Sequence, residues 1–340
     1  MRQLLSVFLL VLAVAGCSSP EAPKVPVAVQ GTAFHSMQWQ AKVSALPEGM
    51  DQAALGAGLQ AVLDEANAVL STYQPETELM RFNRAPVGEW VTVSPMLFGA
   101  VQTALEVSAL SAGAYDITVG PLVNLWGFGP DAVPVKVPEA ALLKAAQARV
   151  GWKNIGIDAD KRALRRLADV QLDLSSLGEG VAVDAMAEWL LARGIKDFMV
   201  SVAGCTRVRG VKPDGQRWVI AIERADGSGQ PERILALADN AVSTSGSYRN
   251  YHEIDGQRYS HTLDARTGMP ITHRGVSASV IAADGNTTRA DALATAFNVL
   301  GPEAGLALAA RENIPVFYIE RTDAGEQVRY TTAFTTFLTP

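Results

Sequence analysis

The sequence predicts an α+β fold in which helices and strands are mixed without regular alternation. Helical apolar periods recur along the whole chain, while many alternating stretches meet directly, through short turns such as Lys212-Pro213-Asp214-Gly215 and Ile254-Asp255-Gly256. That pattern favours a mixed arrangement over a doubly wound parallel sheet. No Gly-x-Gly-x-x-Gly follows a strand and opens a helix, so a dinucleotide fold of that type is unsupported.

The elements follow in chain order. A basic start at Arg2 precedes an apolar run over residues 4–15 and then Val14-Ala15-Gly16-Cys17. A bilayer crossing needs roughly 20 apolar residues, so this shorter run reads as a secretory signal. Cys17 directly after the small pair makes it the lipoprotein version, with Cys17 acylated. The alternative is an ordinary signal peptide cut near Ala15 or Gly16. Residues 1–16 are the expected signal peptide. Residues 17–30, rich in Pro, Ala and Val, are the expected lipid-anchored linker. Residues 31–340 then form one folded unit, long enough for a large core. The expected location is the periplasmic face of a bacterial membrane. Ser18 in place of an Asp retention signal leans to the outer membrane, with inner or outer left open.

Within the body, residues 39–45 alternate as a strand and residues 51–71 carry a helical period. Helical periods return over 94–110, 138–150 and 177–193, and in a closing pair over 287–300 and 302–311. Further strands are predicted over 198–203, 218–222, 234–237, 258–263, 276–282 and 316–320. Apolar content of 48% with 19% charged residues excludes a disordered chain. A net charge of −6 argues against a nucleic-acid partner, and any phosphate-bearing ligand must be held locally by metal, amides or a few bases. Of two cysteines one is the lipid site, which leaves Cys205 without a disulfide partner and reads as a small core residue.

Four polar clusters interrupt the apolar structure. The first runs from Gly113-Ala114-Tyr115-Asp116-Ile117-Thr118-Val119-Gly120-Pro121 into Asn124-Leu125-Trp126-Gly127-Phe128-Gly129. It is either a turn-rich surface loop or a loop approached closely by a ligand, with Tyr115 and Trp126 facing an aromatic ring. The second, Asp173-Leu174-Ser175-Ser176-Leu177-Gly178-Glu179-Gly180, opens an apolar helix and is either a phosphate cradle or a plain cap. The third joins Ser243-Thr244-Ser245-Gly246-Ser247-Tyr248-Arg249-Asn250-Tyr251 to Ser260-His261-Thr262-Leu263-Asp264 and the turn after it. There Asp264 reads as a turn cap, and His261 stands out beside the hydroxyls. His35, His252 and His273 have no comparable setting. The fourth is Thr287-Thr288-Arg289-Ala290-Asp291-Ala292-Leu293-Ala294-Thr295, in which Asp291 and Thr295 share a helix face. That pair is either an exposed face or an oxygen site for a cation such as Mg2+.

In this order and at these lengths, the four segments resemble the bacterial FAD:protein FMN transferase (ApbE) family of lipoproteins, from about Phe34 to the C-terminus. The resemblance implies the family's mixed two-lobed fold, with FAD as substrate between the lobes and Mg2+ at its pyrophosphate. By motif position it puts the metal on the Gly178 carbonyl, Asp291 and Thr295. It puts the flavin nucleotide against Met37, Tyr73, Ala114, Tyr115, Asp116, Ser175 and Leu263. Three departures stand out. Met37-Gln38-Trp39 replaces the family's Met-Gly-Thr, Ala203-Gly204 replaces paired glycines, and Ala294 stands where some relatives carry a second Asp.

The implied activity is transfer of FMN from FAD to a threonine hydroxyl of an acceptor subunit in a membrane redox complex, with release of AMP. His261 is the candidate base for that hydroxyl, because imidazole titrates near neutrality. Two alternatives remain: a pyrophosphatase yielding FMN and AMP, and a non-catalytic flavin-binding lipoprotein. Tyr73, rather than a small polar residue, favours transfer, and the Asp291/Thr295 pair argues against mere binding.

Overall fold

The computed structural model describes residues 25–130, 135–248 and 250–338. The expected signal peptide and Cys17, the expected lipid site, lie outside the described residues.

Alternation at Val27 and Val29 makes strand β1 (Val27–Ala33), which pairs antiparallel with β2 (Met37–Val43) in the register Val27↔Val43. Six more strands complete the sheet: β3 (Phe198–Val202), β4 (Cys205–Arg209), β5 (Asn240–Gly246), β6 (Gly275–Ala282), β7 (Val316–Thr322) and β8 (Gly325–Tyr330). Their spatial order is their chain order, and every neighbouring pair is antiparallel.

Apart from a short 3-10 helix, Thr332–Phe337, after the last strand, the other described elements are inserted between these strands. The stretch between β2 and β3 holds α1 (Gln52–Leu70), α2 (Glu78–Arg84), α3 (Pro95–Leu110), α4 (Gly120–Leu125), α5 (Ala140–Gln147) and α6 (Gly178–Leu191). It also holds a three-stranded sheet of Trp90–Thr92, Ala163–Arg166 and Ile155–Asp158. A hairpin, Trp218–Glu223 with Pro231–Leu237, separates β4 from β5, and α7 (Thr287–Arg311) separates β6 from β7.

Local chemistry explains the main helices. Asp51 caps α1 by accepting from the Ala54 N–H, and Leu55, Leu59, Leu63, Ala66 and Leu70 bury one stripe of it. Gly58 lies on that helix where an added Cβ would come within 2.0 Å of the Trp189 ring, so glycine alone lets α6 approach. Ser94 caps α3 ahead of Pro95. The expected closing pair of helices is α7 itself, broken at Gly301 (φ 75°) before Pro302.

The sheet has two buried faces. Along β7, Val316 and Tyr318 enter the core shared with α3 and α7, while Phe317 and Ile319 enter another with Trp218, Leu235 and Phe334. Layers on both sides leave β6 buried at every residue. The mixed α+β fold is therefore as expected.

Two boundaries need correction. Val27–Gln30, read as linker, belong to β1, because Val27 and Val29 pack against the core of α1 and β2. The strand expected over 258–263 is broken: Gln257–Ser260 pairs with Tyr251–Ile254, and Leu263–Asp264 pairs with Met269–Pro270. Between them the backbone changes partner: the His261 N–H donates to the Asn250 carbonyl in the register of the first hairpin, and the Thr262 carbonyl accepts from the Ile271 N–H in the register of the second.

Candidate active site

The site forms where the start of α6 meets α7. Asp173 Oδ1 accepts from the Ser175 amide and hydroxyl (2.9 and 2.6 Å), which tightens the turn before α6. Ser175, an expected flavin contact, is thus exposed on that turn. The next residues lead into the first turn of α6, whose N–H groups lack intrahelical partners. One of them, Gly180 N–H, donates to Asp291 Oδ2 at 2.9 Å, so the carboxylate of α7 caps α6. The approach is tight: a Cβ on Gly180 would lie 2.6 Å from the Thr287 carbonyl oxygen and 2.8 Å from Asp291 Cβ.

Around Asp291 a ladder of oxygens extends in both directions. Ser243 Oγ on β5 donates to Asp291 Oδ1 at 2.9 Å. Thr295 Oγ1 donates to the Ser176 carbonyl at 3.3 Å, and Ser176 Oγ donates to the Tyr115 hydroxyl at 3.0 Å. The structure therefore brings Asp291 and Thr295 against the turn that contains Gly178, through Gly180 and Ser176 on either side of it. Asp184 holds α7 in place by accepting from the Thr287 and Thr288 amides and pairing with Arg207.

Two further groups join this centre. The ligand atoms of Glu179, Cys205 and Asp291 all lie within 4.8 Å of one another, and Cys205 Sγ is 3.2 Å from Ser243 Oγ. Burial pushes the carboxyls of Glu179 and Asp291 above the ordinary range, helped at Glu179 by repulsion from Asp291 and at Asp291 by repulsion from Asp184. Burial likewise raises the Cys205 thiol, so it stays protonated, a core residue as expected. Among the described residues no Lys, Arg or His pairs with Glu179 or Asp291. A buried carboxylate and a half-buried one, with hydroxyl and carbonyl oxygens beside them and no paired cation, are a donor set that fits a hard divalent cation.

The other expected contacts are placed as follows. Met37 and Tyr73 are solvent-facing, the latter with its ring 6.1 Å from that of His35. Ala114 and Tyr115 are buried, and Asp116 holds their loop by accepting from Thr118 N, Thr118 Oγ1 and Trp152 N. Leu263 packs on Leu122 and Trp126. Tyr115 and Trp126, which the sequence offers as residues that could face an aromatic ring, lie inside the protein. Trp126 donates to the Gly268 carbonyl and stacks on Tyr259.

His261 Nδ1 lies 2.8 Å from the Asn250 carbonyl. A carbonyl only accepts, so Nδ1 carries the proton and the neutral ring keeps its lone pair on Nε2. Burial holds this imidazole below its ordinary value. His252, read as unremarkable, stacks on Phe128 at 4.1 Å, and Phe128 meets His261 edge-on at 6.2 Å. His273 is a satisfied residue on the Asn298 carbonyl, and Asp264 caps its turn and pairs with Arg266, both as expected. Ser243, Glu179 and Asn298 went unassigned in the sequence. The readable signal for Asn298 is a polar stripe on an apolar helix, at positions 291, 295 and 298.

The chain matches the family model described as the ApbE family over residues 35–318. It is 37% identical over 340 residues to the FAD:protein FMN transferase of Vibrio cholerae, covering 99% of both chains. It is 38% identical over 330 residues to that of Salmonella typhimurium, covering 95% of this chain and 93% of the other. Among solved structures, the flavin transferase ApbE from Vibrio cholerae superposes with a TM-score of 0.85 at 37% identity, over 93% of this chain and 100% of that one. The apo flavinyl transferase ApbE of Pseudomonas stutzeri gives 0.83 at 39% identity, over 92% and 96%.

Proposed function

The chain belongs to the ApbE family, and from that premise we propose that it is an FAD:protein FMN transferase. Its acceptor is a hydroxyl, threonine by resemblance, on a membrane redox subunit. The observation that carries the reading is the junction of Asp291, Thr295 and the α6 turn, a largely buried acidic contact at a helix N-terminus.

In the reaction, the acceptor oxygen bonds to the FMN phosphorus of FAD. The bridging P–O bond breaks, and AMP leaves with the electron pair. His261 Nε2 takes the hydroxyl proton, with the ring oriented by the Asn250 carbonyl. Asp291, Thr295 and the Gly178 carbonyl would hold Mg2+, which when bound supplies charge neutralisation at the pyrophosphate. The first-turn amides of α6 favour the same negative charge. The Val14-Ala15-Gly16-Cys17 sequence supports a lipid tether that keeps enzyme and acceptor at one membrane.

The test is incubation with FAD, Mg2+ and an acceptor domain bearing a flavinylation threonine, read by intact mass and released AMP. Transfer gives an FMN adduct with equal AMP. AMP without adduct indicates a pyrophosphatase, and neither product indicates a binding protein; both outcomes overturn the proposal.

A further inference from the structure

Asn298 stands on α7 seven residues after Asp291 and three after Thr295, so all three side chains share one stripe of the helix. It is 1% exposed. Its Nδ2 donates to Ser245 Oγ on β5 at 3.2 Å and to Thr262 Oγ1 at 3.3 Å. Its backbone carbonyl lies 2.9 Å from His273 Nε2, which anchors that turn of α7. Its Oδ1 is buried without a hydrogen-bond partner.

Thr262 directly follows His261 in the stretch where the strand is broken. With no continuous ladder there, the Asn298–Thr262 bond ties that stretch to the helix bearing Asp291 and Thr295. We infer that Asn298 is a positioning residue, fixing Thr262, and through it His261, against the Asp291–Thr295 face of α7. The inference rests on the reading of His261 as the base.

The chemistry of the amide supports positioning over stability. An unpaired buried acceptor opposes folding, and a leucine of similar size would fill the same space without it. What leucine lacks is the NH2 group, whose two donated bonds both end on segments bordering the site. Proton transfer to an imidazole needs hydrogen-bond reach, and a misplacement of about 1 Å costs on the order of 100-fold in rate.

The experiment uses the full chain with Mg2+, FAD and the acceptor domain. It compares Asn298→Leu, Thr262→Val and their double variant. Each single change is expected to lower kcat about 10- to 100-fold, with the KM for FAD within about twofold of the parent. The double variant should be no slower than the slower single one, since both remove one link. It should also keep its thermal midpoint near the parent's, because replacing both partners by apolar groups leaves neither unpaired. Thr262→Ser should recover most of the rate lost in Thr262→Val, and Asn298→Leu should cost nothing further on a His261→Ala background.

Parental kcat in Asn298→Leu, additive losses in the double variant, or a rate loss that only tracks the thermal midpoint would each overturn the inference. Full turnover in His261→Ala overturns the base reading and this inference with it. An inactive His261→Ala beside a fast Asn298→Leu overturns the inference alone.

Discussion

His261 combines two features that matter for its chemistry. Its Nδ1 proton is spent on the Asn250 carbonyl, and burial disfavours the imidazolium. The sign follows directly: the folded value lies below the ordinary 6.5, so the neutral, proton-accepting ring persists to lower pH. The acidic limb of the transfer rate against pH should therefore fall below about 6.5, and His261→Gln should slow turnover about 100- to 10,000-fold. The same shift affects stability. The unfolded chain binds the proton more readily, so stability contributed by neutral His261 is present above pH 6.5 and lost as pH falls through it. Thermal midpoints of the parent and His261→Gln across that range measure the effect. Cys205 shows the opposite case, a thiol beside the centre that burial keeps protonated and unreactive.

At the scale of elements, the contact between α6 and α7 governs the site. Gly180 permits it, because the space beside its Cα is filled by the Thr287 carbonyl and Asp291. Gly180→Ala should push the helices apart, destabilising the protein by about 1–3 kcal/mol, and lengthen the bond from its amide to Asp291. Chemical denaturation reads the first effect. A Mg2+ titration followed by thermal shift reads the second, with weaker stabilisation by the ion expected. The helices behind this contact were legible, since the apolar periods over 177–193 and 287–311 are local signals. The break at His261 was not, because Ser260-His261-Thr262-Leu263 alternates like any strand. What breaks it is a change of partner between neighbours, from Asn250 for His261 to Ile271 for Thr262, which only the packed chain fixes.

For the whole molecule, β1 matters as much as the site. It is an outer strand of the sheet, and its Ala28 carbonyl accepts from Gln52 Nε2 at 2.7 Å, tying the sheet edge to α1. A chain begun at Val25 should transfer FMN in solution as the parent does. One begun at Gly31 should show a lower thermal midpoint, having lost the Val27–Gln30 pairing with β2. Melting and turnover of the two truncations check this, and inactivity of the longer one would contradict a tether dispensable for chemistry.

The sequence by itself determined the α+β class, the main helices, and the four motif segments that mark the family, because periodicity and motif are properties of neighbours along the chain. It also marked Asp291 and Thr295 as one helix face. The tertiary structure decided which oxygens that face would meet. Gly180 reaches Asp291 across 111 residues, and Ser176 reaches Thr295 across 119. Contacts at such separations depend on how the sheet and helices pack once the intervening loops are closed, and no local pattern encodes that. The same packing buries Tyr115 and Trp126, turns Val27–Gln30 from linker into strand, and sets Asn298 between the two halves of the site.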